Sequence, residues 1–176
     1  NTYKIIKELE KKYENLFVTR NKSTGKVPAY NQAFNHSKGE YIFIFGGDDL
    51  LPKDALNKRM NSLINFSHKK KYNLISKPIA QFSKLITFSE NKEFNNRVLP
   101  SKFSQKGLRS GVTLFINRKI ADICFPINES LVSEDIWLLL CIENFSLIID
   151  LPEVTYLYRI HKGNSIPFKR GFDEYR

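Results

Sequence analysis

The chain has 176 residues, of which 28 are basic and 18 are acidic, so its formal net charge at pH 7 is +10. A hydrophobic content of 41% and a charged content of 26% are ordinary for a folded domain and exclude collagen-like, low-complexity and wholly disordered chains. The length predicts one domain over residues 1–176, and no apolar run approaches the roughly 18 residues of a membrane span. The positive charge predicts an anionic partner: nucleic acid, a nucleotide, a phosphosugar or an acidic membrane surface.

The hydrophobic pattern alternates between helices and strands along the chain. Helices are predicted over residues 2–13 and 29–34, after Pro52, around residues 118–123 and over residues 134–145. Strands are predicted over residues 16–18, 41–45, 72–76, 82–88, 112–116, 147–149 and 154–160. The polar stretch 89–105 is predicted to be a long loop. This alternation is typical of an α/β fold.

The two cysteines, Cys124 and Cys141, both lie in apolar sequence. Their spacing matches neither a zinc site nor a disulfide framework. We predict that both are buried free thiols in a reducing compartment.

The apolar strand 41–45 leads directly into Gly46, Gly47, Asp48 and Asp49. Open α/β sheets bind ligands at the carboxyl ends of their strands, and adjacent carboxylates repel each other unless a cation lies beside them. The motif therefore predicts a site for Mg²⁺ or Mn²⁺, with glycines that let a phosphate approach the backbone. The alternative interpretation is a turn residue, Asp48, and a helix N-cap, Asp49.

A second acidic pair, Glu134 and Asp135, opens the predicted helix 134–145. One interpretation is a general base that takes a proton from an attacking hydroxyl group. The other is a pair of acids stabilised by the helix dipole. The residues of this motif alone leave both interpretations open.

A cluster of basic and polar residues follows the last predicted strand, in the segment Tyr158-Arg159-Ile160-His161-Lys162-Gly163-Asn164-Ser165. The imidazole of His161 is a candidate metal ligand, and Arg159 or Lys162 is a candidate partner for a diphosphate. An ordinary surface histidine is the alternative for His161.

Taken in chain order, these motifs resemble the family 2 glycosyltransferases of GT-A fold. The resemblance is carried by Asn21, Gly25, Ala29, Asn31, Gly39-Glu40-Tyr41-Ile42, Asp48-Asp49, Pro52, Phe125-Pro126, Ser133-Glu134-Asp135, Tyr158-Arg159-Ile160-His161 and Asn164-Ser165. It extends over nearly the whole chain, although residues 77–106 contribute little.

The resemblance implies a GT-A (Rossmann-like) α/β fold with a mixed, mainly parallel sheet flanked by helices. It also implies an enzyme that transfers a sugar from a nucleotide diphosphate-sugar to an acceptor hydroxyl, with inversion and with a divalent cation. The family's first strand-helix-strand unit, which supplies an acidic contact to the nucleotide base, is expected to be absent ahead of Asn1. The chain is then a single, partial catalytic domain.

The same resemblance assigns roles to individual residues. The catalytic base is expected to be Asp135, with Glu134 as its neighbour or substitute. The donor-binding residues are expected to be Asn21, Gly25, Asn31, Gly47, Asp48 and Arg159. The ligands of Mn²⁺ or Mg²⁺ are expected to be Asp49, Asp48 and His161.

The chain departs from the family pattern at Gly46, where many relatives carry an acid, so the metal site is expected to depend on Asp49 and on donor phosphates. This departure motivates an alternative function, a non-catalytic nucleotide-sugar binding or interaction module of the same fold. No RNP-like or zinc motif supports nucleic-acid binding, which is not expected.

The resemblance also suggests a biological setting, the synthesis of a bacterial surface polysaccharide or lipopolysaccharide for the cell envelope. The acceptor is then a glycan or a lipid-linked glycan. We expect a cytoplasmic protein, with peripheral contact between its surplus lysines and the acidic inner face of the cell membrane.

Overall fold

The protein is described by a computed structural model over residues 2–21, 23–74, 76–131 and 133–164. In these ranges the α-helices are α1 (Thr2–Glu10), α2 (Lys26–His36), α3 (Ala55–Lys70), α4 (Arg118–Cys124) and α5 (Glu134–Phe145). The β-strands are β1 (Tyr41–Phe43), β2 (Ile79–Ser89), β3 (Val98–Leu99), β4 (Leu114–Asn117) and β5 (Leu147–Ile160). Short 3₁₀ helices form at Lys92–Phe94 and Gly111–Thr113.

Strand β2 is the centre of a mixed sheet. One edge of β2 pairs with β4 and then with β3, both antiparallel, and β4 pairs antiparallel with β1. The other edge pairs in parallel with β5, from Ile79 opposite Leu147 to Ser89 opposite Ile160. The predicted mixed sheet flanked by helices is confirmed, and its parallel character is concentrated in this one long pair. β2 and β3 pair antiparallel because a short connection joins them, whereas a parallel pair such as β2 and β5 needs a longer crossover. Helices α4 and α5 lie in that crossover.

Helices cover both faces of the sheet, because successive residues of a strand point to opposite faces. On β4, Leu114 and Ile116 pack in the larger apolar core with residues of α2, α4 and α5. The intervening Phe115 packs on the other face in a second core with Leu63 of α3. The chain therefore has three layers, with the sheet in the middle.

Two of the predicted strands do not form among the residues that the structure describes. Residues 16–18 are irregular, because the backbone of Val18 is bound by side chains of α1: its N–H donates to Glu10 and its carbonyl accepts from Lys7. In the predicted strand 72–76, Tyr72 is held against the end of α3 by hydrogen bonds with Ser67, and Ile75 lies outside the described residues.

Other boundaries also differ from the predictions. The two predicted strands at the end of the chain form one strand, β5, and the polar stretch 89–105 contains the short strand β3. The strand predicted over 112–116 begins at Leu114, after the 3₁₀ turn.

The thiols of Cys124 and Cys141 are free and buried, as predicted. Burial, with a smaller contribution from Cys141, raises the pKa of Cys124 to about 12. Within the described ranges, none of the helices combines the length and the apolar character needed to cross a membrane.

Candidate active site

The turn that follows β1, Gly46 to Asp49, is fixed against strand β5. Leu50 and Leu157 exchange two backbone hydrogen bonds of 3.0 Å. The N–H of Gly46 donates to the hydroxyl of Tyr156 at 3.1 Å. The turn therefore depends on β5 for its position, although the two are far apart in sequence.

Asp49 is the buried member of the acidic pair, with 8% of its surface exposed. Its Oδ2 accepts a hydrogen bond from the Tyr156 hydroxyl at 2.6 Å, and its Oδ1 accepts one from the backbone N–H of Arg159 at 2.7 Å. Burial raises the pKa of Asp49 despite these two bonds. The N-cap of α3 is Asp54, so the interpretation of Asp49 as that cap is wrong.

Asp48 is exposed, and it lies beside two other predicted site residues. Its Oδ2 is 2.8 Å from Nε2 of His161, and this hydrogen bond is the main reason that the pKa of Asp48 is lowered. Its backbone carbonyl accepts a hydrogen bond of 2.6 Å from Nε of Arg159. The guanidinium of Arg159 lies over the ring of Phe88, 4.5 Å from its centroid. The structure thus brings Asp48, Arg159 and His161 together.

The Asp48–His161 pair offers one carboxylate and one imidazole, a donor set that suits Mn²⁺. Nδ1 of His161 accepts a hydrogen bond from the N–H of Gly163 at 3.0 Å, so the neutral ring carries its proton on Nε2 and donates to Asp48. A cation held by both side chains would take the place of that proton. The donor set fits such an ion, provided that Nδ1 gives up the Gly163 hydrogen bond and takes the ring proton.

Within the described ranges, no three His, Cys, Asp or Glu side chains form a group that could hold a metal ion. Both carboxylate oxygens of Asp49, which was expected to be the main ligand, are engaged by protein donors. The chain's own contribution to a cation site is therefore best represented by Asp48 and His161, and ligand or water oxygens would have to complete it.

The two glycines of the turn differ in their surroundings. A Cβ atom at Gly46 would lie 2.5 Å from Oδ2 of Asp49. An acidic residue at this position would therefore displace the buried carboxylate of Asp49. A Cβ atom at Gly47 would meet nothing within 4 Å, so the backbone there is open to a bulky ligand.

A small cavity of about 50 Å³ has Gly46 as one of its lining residues. Asp135, at the start of α5, and Lys26, at the start of α2, line it together with Tyr30 and Gly111. A Cβ atom at Gly111 would lie 2.2 Å from Oδ1 of Asp135, so only a glycine leaves room for this carboxylate. Gly46 therefore belongs both to the acidic turn and to the wall of the cavity that Asp135 lines.

The two acids of α5 have different environments. Glu134 is buried and forms an ion pair with Lys26. Asp135 faces the cavity, where burial, and then the neighbouring charge of Glu134, raises its pKa. A carboxylate with a raised pKa is suited to accept a proton near neutral pH.

The predicted donor-binding residues near the start of the chain make contacts within the protein. Asn21 donates to the carbonyl of Gly25 at 3.1 Å, and Gly25 has a φ of 122°, which few other residues adopt. Asn31 exchanges two hydrogen bonds of 2.8 Å with the backbone of Ile127. Asn21 and Asn31 also line a separate open groove of about 320 Å³, and Asp48 is not among its lining residues.

Sequence reasoning missed two residues of this site, Tyr156 and Lys26. Tyr156 lies in β5, two residues before the motif that begins at Tyr158. In the sequence, only its position in a predicted strand pointed to a place in the structure. Lys26 directly follows Gly25 in the sequence, and no local pattern links it to Glu134.

The sequence model of the family described as "Glycosyl transferase family 2" matches residues 1–121. This range includes Asp48 and Asp49, whereas Asp135, Arg159 and His161 lie beyond it. The mixed, open sheet flanked by helices is consistent with a GT-A type of fold. No curated protein and no solved structure matches the chain significantly.

Proposed function

The chain belongs to glycosyl transferase family 2, and on that premise we propose that it transfers a sugar, with inversion, from a nucleotide diphosphate-sugar to an acceptor hydroxyl. The observation that carries the proposal is the arrangement around Gly46. Asp48, His161 and Arg159 form a polar cluster at the turn, and Asp135 lies in the cavity that shares Gly46 with it. One side is suited to a diphosphate and the other to a hydroxyl group.

On the donor side, Asp48 and His161 would hold Mn²⁺ or Mg²⁺. When bound, such a cation would supply positive charge against the diphosphate that leaves. Arg159 contributes a second positive charge next to Asp48, and its Nε hydrogen bond to the Asp48 carbonyl keeps it there. The open backbone at Gly47 admits the phosphates.

On the acceptor side, Asp135 takes the proton of the attacking hydroxyl. The acceptor oxygen then forms a bond to the anomeric carbon while the bond between that carbon and the phosphate oxygen breaks. The electron pair of the broken bond stays on the diphosphate. Attack from the face opposite the leaving group inverts the anomeric centre. The raised pKa of Asp135 makes it a stronger base than an exposed carboxylate.

The proposed setting is the synthesis of a bacterial surface polysaccharide or lipopolysaccharide, with a glycan or lipid-linked acceptor. The proposed location is the cytoplasm, and the net charge of +10 supports peripheral contact with an acidic membrane face. We propose that residues 1–176 form one domain with this function.

A second candidate is a nucleotide-sugar binding module without catalysis. It is favoured by the finding that, among the described residues, no three His, Cys, Asp or Glu side chains form a group that could hold a metal ion. Donor binding without turnover would support it.

The test is to incubate the chain with a panel of nucleotide-sugars and Mn²⁺ or Mg²⁺, and to follow release of the nucleoside diphosphate. Asp135→Asn should lower the rate by roughly 10²-fold or more, the usual contribution of a general base, while leaving donor binding by calorimetry unchanged. Asp48→Asn should weaken donor binding in the presence of the cation. If both variants release nucleoside diphosphate at the unmodified rate, the proposed roles are wrong.

A further inference from the structure

The ion pair between Lys26 and Glu134 joins the first turns of α2 and α5. The side chain of Glu134 is only 9% exposed, whereas that of Lys26 is 54% exposed. A buried carboxylate is costly unless it is paired, and Lys26 is the cation that pairs with this one. The contact therefore both neutralises Glu134 and fixes the start of α5 relative to α2.

The same lysine lines the cavity of Asp135. The titratable groups around this carboxylate are Glu134, from its own helix, and Lys26 and Tyr30, from α2. The other lining residues carry no charge: Ile44 and Gly46 after β1, Gly111 and Val112, and Leu138 of α5. Within the described part of the chain, no group donates a hydrogen bond to the Asp135 carboxylate.

We propose that Lys26 is a positioning residue for Asp135: by binding Glu134, it prevents that carboxylate from competing for a proton and leaves Asp135 as the proton acceptor of the cavity. The inference rests on the proposed function, in which Asp135 is the base. It removes Glu134 from the role of substitute base, because the Glu134 carboxylate is buried in an ion pair.

The charges around the cavity give the expected directions of change. The negative charge of Glu134 raises the pKa of Asp135, and the positive charge of Lys26 lowers it. Loss of Lys26 should therefore raise the pKa of Asp135, and loss of the charge on Glu134 should lower it. Loss of both should bring the pKa back toward its original value.

The experiment is a pH titration of the Asp135 side-chain carboxyl carbon by NMR in the ¹³C-labelled full chain, with the signal assigned by its loss in Asp135→Asn. Lys26→Met should move the midpoint to higher pH, Glu134→Gln to lower pH, and the double variant should fall between them. Lys26→Arg keeps the charge and should titrate like the unmodified chain. Lys58→Met, which removes a lysine that pairs with Asp54, is the matched control and should leave the midpoint unchanged.

If Lys26→Met titrates like Lys58→Met, or if Glu134→Gln moves the midpoint upward, the role of Lys26 is wrong. Should Lys26→Met fail to fold, Glu134→Gln and Lys26→Arg still decide the matter. The titration needs no substrate, so it separates the two proposals. Expected midpoints without donor turnover would uphold the Lys26 interaction and overturn the transferase mechanism. Donor turnover without the expected midpoints would support the transferase mechanism and overturn the role of Lys26.

Discussion

The hydroxyl of Tyr156 donates a hydrogen bond of 2.6 Å to Oδ2 of Asp49, across 107 positions of sequence. The same hydroxyl accepts the N–H of Gly46, so one phenol oxygen holds both ends of the turn that carries Asp48. Burial, together with the Asp49 hydrogen bond, raises the pKa of Tyr156 well above its usual range, so the hydroxyl keeps its proton and stays a donor. The exposed Asp48 is thus positioned by a buried neighbour and by a strand from the far end of the chain.

Removal of this hydroxyl in Tyr156→Phe should destabilise the protein by about 1–3 kcal/mol, because the buried Asp49 carboxylate and the Gly46 N–H both lose a partner. The turn should also loosen, so Mn²⁺-dependent donor binding should weaken. Chemical denaturation and calorimetry measure the two effects. Tyr72→Phe is the control, since among the described residues no partner binds the Tyr72 hydroxyl. Equal stability of the two variants would contradict a positioning role for Tyr156.

The adjacent glycines of the turn provide a matched pair of variants. Gly46→Ala should destabilise the protein by about 1–3 kcal/mol, because its Cβ would lie 2.5 Å from the Asp49 carboxylate and force it to move. Gly47→Ala should be tolerated in stability, since nothing lies within 4 Å of the added atom. Thermal unfolding of both variants tests this difference. A Gly46→Ala variant as stable as Gly47→Ala would mean that Asp49 has room to shift at no cost.

His161 provides the test of the cation site. His161→Ala should reduce Mn²⁺ affinity roughly tenfold or more, the loss seen even when a metal site loses an outer-shell partner. Electron paramagnetic resonance of free Mn²⁺, with a nucleoside diphosphate present, measures this affinity. His68→Ala removes a histidine at the end of α3 and serves as the control. Unchanged Mn²⁺ affinity in His161→Ala would remove His161 from the proposed site.

Local sequence patterns predicted the features that depend on neighbouring residues. The apolar run of β1 followed by two acids, and the acidic first turn of α5, needed only periodicity and the chemistry of carboxylates. Which acid of each pair is buried and bound by other protein groups could not be predicted in this way. Asp49 is buried because Tyr156 and Arg159 of β5 pack against it, and the charge of Glu134 is paired with Lys26, 108 positions earlier in the chain.

Contacts distant in sequence also decide the surroundings of Asn31 and of residues 16–18. The side chain of Asn31, whose donor-binding role stays a prediction, binds the backbone of Ile127, 96 positions away. Residues 16–18 have the composition of a strand, but a strand also needs a partner, and in the described structure Val18 is held by α1 instead. Composition gives such segments a propensity to form a strand, and contacts with residues distant in sequence decide whether the strand forms.

The last prediction concerns stability and pH, at the ion pair between Arg109 and Asp150 of β5. Arg109 donates two hydrogen bonds to this carboxylate, of 2.7 and 3.0 Å, and Gly107 donates a third, of 2.9 Å. Burial alone would raise the pKa of Asp150, but these bonds outweigh it and lower the pKa. A carboxylate whose pKa is lower in the folded state than in the unfolded state stabilises the protein at pH values above its pKa in the unfolded chain, about 3.9. That stabilisation is lost as the pH falls through the pKa of the folded state.

Asp150→Asn should therefore reduce the free energy of unfolding at pH 7, and the difference from the unmodified chain should shrink as the pH falls below about 4. Denaturant titrations at a series of pH values measure this difference. Asp54→Asn removes one member of an exposed ion pair between the N-cap of α3 and Lys58. It is the control and should change stability by less than about 1 kcal/mol, as surface ion pairs do. A difference for Asp150→Asn that stays constant from pH 7 down to pH 3 would show that the carboxylate charge is not its source.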